Sequence, residues 1–334
     1  MEIIRTKPRE ENFHLWEDVS TSIFPAGSPG YGQKESIPLH LLHTCLVLVK
    51  DKKPLARLAL YNNPALYYNT RQAACVGNYA CTDNHQAAQA ILHAAREDAQ
   101  KLGSSFLIGP MNGSTWNNYR FSLQNDHPNF LLEPWNPLYY NQQFEEAGYK
   151  SIARYSSSLD RSIVCDRPEV IHQDAALARA GVRIRSIRMN VYESELKKLY
   201  PFLLKAFQSN FLYTPIAWES FLAKYREAAP LINPDYVLMA EDAQDKLIGF
   251  IFCYDDKLNT REKSLVVKTI ARDNSSAWKG LGQVIANRVI RLIKERGYKS
   301  IVHAFMIEGA TSTEASRAFN GTTYKQYALY GMDI

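Results

Sequence analysis

The sequence predicts an α/β protein made of two similar halves. Strand-like and helix-like segments alternate along its 334 residues, and this alternation is typical of a sheet flanked by helices. Apolar runs separated by charged turns recur at matching places in the two halves. A chain of this length also exceeds the usual size of a single core, so we expect two domains of ordinary size.

The repetition begins with two predicted β-hairpins. Residues 45–60 and 236–252 each consist of an apolar run, a short charged turn and a second apolar run, which is the pattern of two strands meeting across a turn. Leu55 and Leu247 occupy equivalent places, 192 positions apart. The two hairpins therefore predict that the second half repeats the topology of the first.

The remaining elements follow the same order in both halves. In the first half we predict helices at 10–22, at 139–148 and before Gly103, and strands at 73–79, 106–108 and 151–157. In the second half we predict helices at 192–208, 217–228, 281–296 and 312–319, and strands at 265–270, 301–306 and 322–330. The pattern weakens between them, which predicts domains at 1–165 and 182–334 joined by a linker at 166–181.

A glycine loop in the second half predicts an anion site. Lys279, Gly280 and Gly282 lie between a β-branched strand and an amphipathic helix. The first N–H groups of a helix lack internal partners, and the helix dipole favours a negative charge there. A tight turn with no ligand is the competing interpretation. The first half has residues 85–88 at this place, with no glycine among them.

Composition and charge exclude several classes of protein. The net charge of +5 is compatible with an anionic cofactor and too small to predict a nucleic-acid partner. The first residues are charged rather than apolar, and no apolar run approaches membrane-spanning length, so we expect a cytoplasmic protein with no membrane partner. The five cysteines include no C-x-x-C pair. We interpret Cys45, Cys75 and Cys253 as reduced core residues, and no residue cluster has metal-ligand spacing.

The order of these elements, together with the glycine loop after the fourth strand, resembles the GNAT family of acyl-CoA-dependent N-acyltransferases. The family motif Gln/Arg-x-x-Gly-x-Gly/Ala falls on residues 277–282, where both glycines match and Ala277 replaces the leading Gln or Arg. The resemblance covers most of residues 182–334. It extends to residues 1–160 through the order of elements and through segments 108–112 and 136–140. The whole chain thus resembles a tandem GNAT protein with a degenerate first domain, each domain a mixed, mostly antiparallel sheet flanked by helices.

The resemblance implies a substrate and a binding mode. It implies acetyl-CoA or another acyl-CoA as co-substrate, and a primary amine of a small molecule or peptide as acceptor. The backbone amides that would hold the CoA pyrophosphate belong to Lys279, Gly280, Leu281, Gly282 and Gln283. The pantetheine arm would pair along Thr269, Ile270, Ala271 and Arg272, where a strand N–H polarises the thioester carbonyl.

Direct attack by an amine requires a base and an acceptor pocket. His303 is the sharpest candidate for the base, because histidine changes charge near neutral pH; a hydrogen-bonded core histidine is the alternative. Glu308 is either a base acting through water or a solvated turn residue. Tyr213 and Trp218 lie where the family has its acceptor loop, and they either line an acceptor pocket or pack in the core.

The proton donor for the departing thiolate is less clear from the sequence. The family supplies it from a tyrosine on the last helix, and the matching place here holds Ser316 or Arg317. The family's asparagine after the fifth strand is also missing. Tyr324 or Tyr327 would substitute from the final strand, with plain packing as the alternative interpretation of each. Tyr327 is the candidate.

The loops of the first half concentrate aromatic and polar residues, which either form a ligand pocket or pack between the domains. They are Trp116, Tyr119, Arg120, Trp135, Asn136 and Tyr139. Two other functions remain open: a catalytically silent acyl-CoA-binding or regulatory protein, and a scaffold without a cofactor. The resemblance also extends to aminoacyl-tRNA-dependent transferases, but the glycine loop favours CoA. The sequence does not distinguish a monomer from a homodimer.

Overall fold

The computed structural model of the chain describes residues 1–28, 30–31, 36–309, 316 and 319–334. Within these residues the α-helices are α1 (Phe13–Ile23), α2 (His85–Lys101), α3 (Tyr139–Glu146), α4 (Pro168–Arg179), α5 (Tyr192–Phe207), α6 (Trp218–Ala228) and α7 (Leu281–Glu295). The strands are β1 (Glu2–Thr6), β2 (Leu42–Lys50), β3 (Lys53–Tyr68), β4 (Arg71–Cys81), β5 (Phe106–Gly109), β6 (Phe121–Ser122), β7 (Lys150–Asp160), β8 (Arg183–Ser186), β9 (Val237–Glu241), β10 (Leu247–Asp255), β11 (Ser264–Arg272), β12 (Ser300–Ile307) and β13 (Thr322–Asp333).

All the described strands join in one sheet that runs through both halves. Its order is β1-β2-β3-β4-β5-β13-β7-β12-β11-β10-β9-β8, with β6 paired to β13. The pairs β4–β5 and β11–β12 are parallel and the other pairs are antiparallel. The sheet is therefore mixed and mostly antiparallel, as the family resemblance implies, and α-helices flank it, but the two halves share one continuous sheet.

The last strand of each half has changed places with its counterpart. β7 ends the first half, yet it pairs with β12 of the second half. β13 ends the second half, yet it pairs with β5 of the first half. β7 and β13 also pair with each other along most of their length, so the centre of the sheet consists of strands that bind the two halves together.

The two predicted hairpins are confirmed. β2 pairs with β3 around a turn at Asp51 and Lys52, both of which have positive φ. β9 pairs with β10 around a turn in which Asp245 has a positive φ, and aspartate tolerates this conformation better than most residues. The helix after the glycine loop is also confirmed, because α7 buries its apolar face against the sheet.

Residues 166–181, predicted as a linker, contain the helix α4. Pro168 occupies its first turn, where a missing N–H costs nothing. The helix packs on α7 through apolar contacts and through the ion pair between Asp174 and Arg288, with N···O 2.7 Å. Most of the helix predicted at 312–319 lies outside the described residues. Within that range the structure describes Ser316 and Phe319.

The helices cover both faces of the second-half sheet. On one face, α7 packs against Leu265 of β11 and Ile301 of β12. On the other, α5 and α6 pack against Val237 and Phe250 of β9 and β10. Cys45, Cys75 and Cys253 are buried and unpaired, as predicted. Within the described part of the chain, no helix combines the length and apolar character needed to cross a bilayer.

Candidate active site

The candidate site lies where β11 and β12 part. The two parallel strands run in register from Ser264 opposite Ser300 to Val267 opposite His303, and their pairing ends there. A cavity of about 980 Å³ begins at this vertex and receives side chains from both halves of the molecule. That volume is typical of a pocket for a small ligand. We call the gap between the two strands the second wedge.

One edge of the second wedge is an unpaired strand edge. Thr269 and Ile270 line the cavity, and no described strand pairs with β11 on the side of β12 after Val267. Ala271 is buried toward α5 and α6, and the guanidinium of Arg272 donates to the carbonyl of Asp273. A free edge of this kind can accept an extended ligand as an additional strand.

The glycine loop stands beside this edge. Gly280 precedes α7 with φ +85°, and no side chain caps the helix. A Cβ atom on Gly280 would lie 2.8 Å from Gln173 Cγ, whereas a Cβ atom on Gly282 would meet only Ile270 Cδ1 at 3.7 Å. Nothing described in the protein therefore requires a glycine at 282, although a ligand that approaches the backbone there would.

The other residues predicted in this loop differ in their placement. The carbonyl of Lys279 accepts a hydrogen bond from Gln173 Nε2 at 2.8 Å, and its side chain is exposed. Leu281 is fully buried in the core under α7, so only its backbone can serve a ligand. Gln283 is exposed on the first turn of α7. The first turn carries no acidic residue to compete with an anion.

The same gap in the first half is filled by the chain itself. β4 and β5 pair in register up to Cys75 opposite Ile108. Beyond that point, the N–H of Met111 donates to the carbonyl of Val76 at 2.7 Å, and the N–H of Asn78 donates to Asn112 Oδ1 at 2.8 Å. We call this gap the first wedge; its strand edge has no room for a ligand.

The helix that follows the first wedge is capped by its own sequence. Asn84 precedes α2, and its side-chain oxygen accepts from the N–H of Ala87 at 3.0 Å. Such a cap satisfies a donor that a bound anion would otherwise use. The carboxylate of Glu146 lies 2.6 Å from His85 Nδ1 at the same helix start. The first half thus lacks both the free strand edge and the uncapped helix start of the second wedge.

His303 lies at the vertex of the second wedge and lines the cavity. The side chain is 9% exposed, and its Nδ1 is 2.7 Å from Ser316 Oγ. Burial lowers the pKa of His303 below its usual value, and the charge of Asp160 opposes this only in part. The imidazole is therefore neutral at neutral pH, and a neutral imidazole can accept a proton.

The other two predicted catalytic residues lie away from the cavity lining. Tyr327 is buried in the core, where its hydroxyl donates to Glu133 Oε1 at 2.7 Å and lies 3.1 Å from Ser157 Oγ. Burial and the neighbouring Glu133 carboxylate raise the pKa of Tyr327. Glu308 is exposed, and its backbone N–H donates to the carbonyl of Arg154. The structure brings neither side chain to His303.

Of the two residues predicted to contact the acceptor, one lines the cavity and the other does not. Tyr213 lines the cavity, and burial raises the pKa of its hydroxyl. Trp218 does not line the cavity; it packs against Tyr200 and Phe221 in the core of α5 and α6. The loop between α5 and α6 therefore contributes one of the two side chains to the cavity.

The first half completes the cavity wall. Trp116, Tyr119 and Arg120 line it, and Trp116 Nε1 donates to the carbonyl of Thr214 in the α5–α6 loop at 2.8 Å. The other members of the aromatic-polar concentration have structural roles. Asn136 holds the backbone of β6, and the hydroxyl of Tyr139 donates to the carbonyl of Cys81.

Sequence reasoning missed Lys268, a charged side chain of the cavity wall. Lys268 lines the cavity, and its Nζ lies 4.3 Å from the ring centroid of Phe305. Burial, followed by repulsion from Arg120 and Lys224, lowers the pKa of Lys268 to about 7. A lysine inside the run Val266–Ile270 is the signal that was available, because a strand packed on both faces has few places for a charge.

Comparison with solved structures identifies the fold. Over 99% of its length the chain superposes on 98% of a tandem GNAT protein from the clavulanic acid biosynthesis pathway, with a TM-score of 0.53 and 13% identity. It also covers 72% of a GCN5-related N-acetyltransferase from Anabaena variabilis, with 99% of this chain superposed, a TM-score of 0.57 and 12% identity.

A third similar structure contains a GCN5-related glucosamine N-acetyltransferase region of a fungal multi-domain β-N-acetylglucosaminidase. The superposition covers 99% of this chain but only 38% of that one, with a TM-score of 0.55 and 14% identity. No protein-family model matches the sequence, and no curated protein sequence does. The likeness is therefore one of fold, and the fold is that of the tandem GNAT proteins.

Proposed function

We propose that this chain, which has the tandem GNAT fold, is an acyl-CoA-dependent N-acyltransferase whose second half holds the active site. The observation that carries the proposal is the contrast between two equivalent places: the second wedge has a free strand edge beside an uncapped helix start, whereas Met111, Asn112 and Asn84 fill these places in the first half.

The residues of the second wedge fit an acyl-CoA. The open space at Gly282 lets a pyrophosphate approach the first amides of α7, where the helix dipole favours negative charge. The edge of β11 at Thr269 and Ile270 offers backbone groups to a pantetheine amide. Bound acyl-CoA supplies an acyl group activated as a thioester, and the amine nitrogen forms a C–N bond as the C–S bond breaks. Acetyl-CoA is our choice of donor.

His303 and Ser316 are the proposed proton carriers. The attacking nitrogen must lose a proton, and the departing sulfur must gain one, so a single neutral imidazole at the wedge vertex can serve both steps. His303 accepts the proton and returns it, directly or through the hydroxyl of Ser316, which lies 2.7 Å from Nδ1. Ser316 thereby occupies the position at which the family resemblance implied a tyrosine. Tyr213 is the proposed contact to the acceptor, and Trp116 and Tyr119 line the cavity from the first half.

The test measures acetyl-CoA binding by calorimetry and CoA release on incubation with a panel of amines. Gly282→Val adds bulk only at the helix start, and we expect it to weaken acetyl-CoA binding by about tenfold or more through lost amide–phosphate hydrogen bonds. His85→Val, at the start of α2, is the matched control and leaves the affinity unchanged. Equal affinity in a folded Gly282→Val variant would overturn the proposal. Saturable binding with no turnover on any amine would instead identify an acyl-CoA-binding protein.

A further inference from the structure

The cavity wall opposite α7 carries three cationic side chains. They are Arg120 from the first half, Lys224 from α6 and Lys268 from β11, and all three line the cavity. We call them the cationic cluster. Lys268 alternates along β11 with Val267, which packs toward α7, so its ammonium lies on the opposite face of the sheet, toward the α5–α6 loop.

Arg120 and Lys268 meet at one aromatic ring. The guanidinium carbon of Arg120 lies 4.2 Å from the ring centroid of Phe305, and Lys268 Nζ lies 4.3 Å from the same centroid. Arg120 also lies 3.9 Å from the ring centroid of Tyr119. Phe305 has φ +57°, a conformation that costs a bulky residue stability. The strained backbone of β12 at Phe305 thus places an aromatic ring next to two cations.

The acids in the cavity do not neutralise this cluster. Glu133 lines the cavity, but Lys325 Nζ lies 2.6 Å from its carboxylate and Tyr327 also donates to it. Packing lowers the pKa of Lys224 and the charge of Glu227 opposes this in part, and the Lys224 side chain is nevertheless exposed. Among the described residues, no ion pair involves a member of the cluster.

Arg120 has an unused donor as well. Its Nε donates to the carbonyl of Tyr119, but Nη1 is buried and has no hydrogen-bond partner among the described residues. A buried guanidinium nitrogen left unpaired is costly. Groups that lower stability in this way are retained where function needs them. The cluster therefore indicates a ligand with a negative charge, bound next to the wedge vertex.

We propose that the cationic cluster binds a carboxylate carried by one of the two reactants, either by the amine acceptor or by the distal end of the acyl chain. This inference rests on the proposed function for the identity of the reactants. A guanidinium fork and an ammonium match the two oxygens of a carboxylate. The cluster lies on the face of the α5–α6 loop, near Tyr213, which favours the acceptor as its source: an amino-acid-like amine.

The test compares matched pairs of ligands by calorimetry at pH 6, where an ammonium with a pKa of about 7 is charged. The acceptor pair is 4-aminobutyrate and butylamine, titrated with and without saturating CoA. The acyl pair is succinyl-CoA and butyryl-CoA. We expect the carboxylate-bearing member of one pair to bind about tenfold or more tightly, the effect of one charge-assisted hydrogen bond. The pair that discriminates identifies which reactant carries the carboxylate.

Two variants test whether the preference for the carboxylate-bearing ligand depends on the cationic cluster. Lys268→Met removes a charge while retaining apolar volume, and we expect it to abolish the preference without lowering Tm, because it deletes an unpaired desolvated cation. Arg120→Gln is expected to abolish the preference too. Lys197→Met changes an exposed lysine of α5 and leaves the preference intact.

Failure of this inference is distinct from failure of the proposed function. No discrimination in either pair, or discrimination that persists in Lys268→Met, would overturn the carboxylate site. If acetyl-CoA still binds in that case, the acyltransferase proposal stands. If acetyl-CoA does not bind while 4-aminobutyrate binds through Lys268, the carboxylate site stands and the proposed reaction falls.

Discussion

The first and second wedges have the same strand arrangement but differ in whether the protein's own chain fills the gap between the strands. By strand register, Cys75 and Ile108 form the vertex of the first wedge, and Val267 and His303 form the vertex of the second. The next residue along the strand is Val76 in the first half and Lys268 in the second, 192 positions apart. The first wedge thus has a valine at this position and is filled by its own chain, whereas the second has a lysine and a free strand edge.

The difference shows that one strand arrangement can either be closed by its own chain or keep a free strand edge. In the first half, hydrogen bonds from Met111 and Asn78 replace those that a ligand would make. In the second, the edge of β11 stays unpaired and the cations of the cavity wall stay unneutralised. The first half contributes Trp116, Tyr119 and Arg120 to the cavity wall, and the second half contributes the free strand edge and the uncapped helix start.

Exchanging one residue between the wedges gives the largest expected effect. Gly77 and Thr269 are equivalent by register, and a Cβ atom on Gly77 would lie 2.4 Å from Asn112 Oδ1 and 2.5 Å from the carbonyl oxygen of Met111. We expect Gly77→Thr to lower the free energy of unfolding by about 3 kcal/mol or more, because backbone atoms must move. The reciprocal change Thr269→Gly costs about 1 kcal/mol. Urea unfolding measures the change in the free energy of unfolding for both variants. Equal changes would contradict the difference between the two wedges.

Replacing the imidazole at the open vertex tests its chemistry. We expect His303→Gln to lower kcat by about 100-fold or more, as loss of a general acid–base group does, with the acetyl-CoA affinity unchanged. Because burial lowers the pKa of His303, the acid limb of the kcat/KM profile should lie below pH 6.5 and disappear in the variant. His93→Gln, on the surface of α2, serves as control. A variant that keeps full kcat would exclude His303 from the proton transfers.

The smallest effect concerns the charge that distinguishes Lys268 from Val76. The pKa of Lys268 is about 7 in the folded protein against 10.5 for an unperturbed lysine. Between pH 7 and pH 10.5 the unfolded chain binds more protons than the folded protein. The free-energy cost of the ammonium to the folded state is therefore complete below pH 7 and vanishes above pH 10.5. Lys268→Met should therefore raise Tm by about 2 °C or more below pH 7. The gain should shrink as the pH rises, and a gain that grows with pH would contradict the assignment.

Much of the fold could be predicted from the sequence because its signals are local. A charged turn between apolar runs specifies a hairpin, and apolar spacing followed by Gly297 specifies α7 and its end. The exchange of β7 and β13 could not be predicted, since each strand pairs with a strand of the other half and such pairings depend on contacts far along the chain. The helix α4 was missed because its short pattern, starting at Pro168, is weak.

The site was predictable only in part, for similar reasons. The glycine loop and His303 could be found because glycine before a helix and histidine within an apolar strand are unusual. A lysine within an apolar run was an available signal for Lys268, and Ser316 falls at the place of the family's tyrosine, but only the fold shows that both residues line one cavity. Met111 and Asn112, which fill the first wedge, have no sequence signature for that role. Trp218 and Tyr327 show that an aromatic residue near a site is often a core residue.

The crossed strands have a consequence for how the protein is made. β5 begins at Phe106 and its partner β13 begins at Thr322, so a ribosome must add 216 residues between them. At cellular rates of synthesis this takes roughly 10–40 s. Throughout that interval the nascent N-terminal sheet exposes an open edge, and such edges invite aggregation. Production of this protein should therefore depend on chaperones that hold the growing chain, and slowing translation should lower the soluble yield.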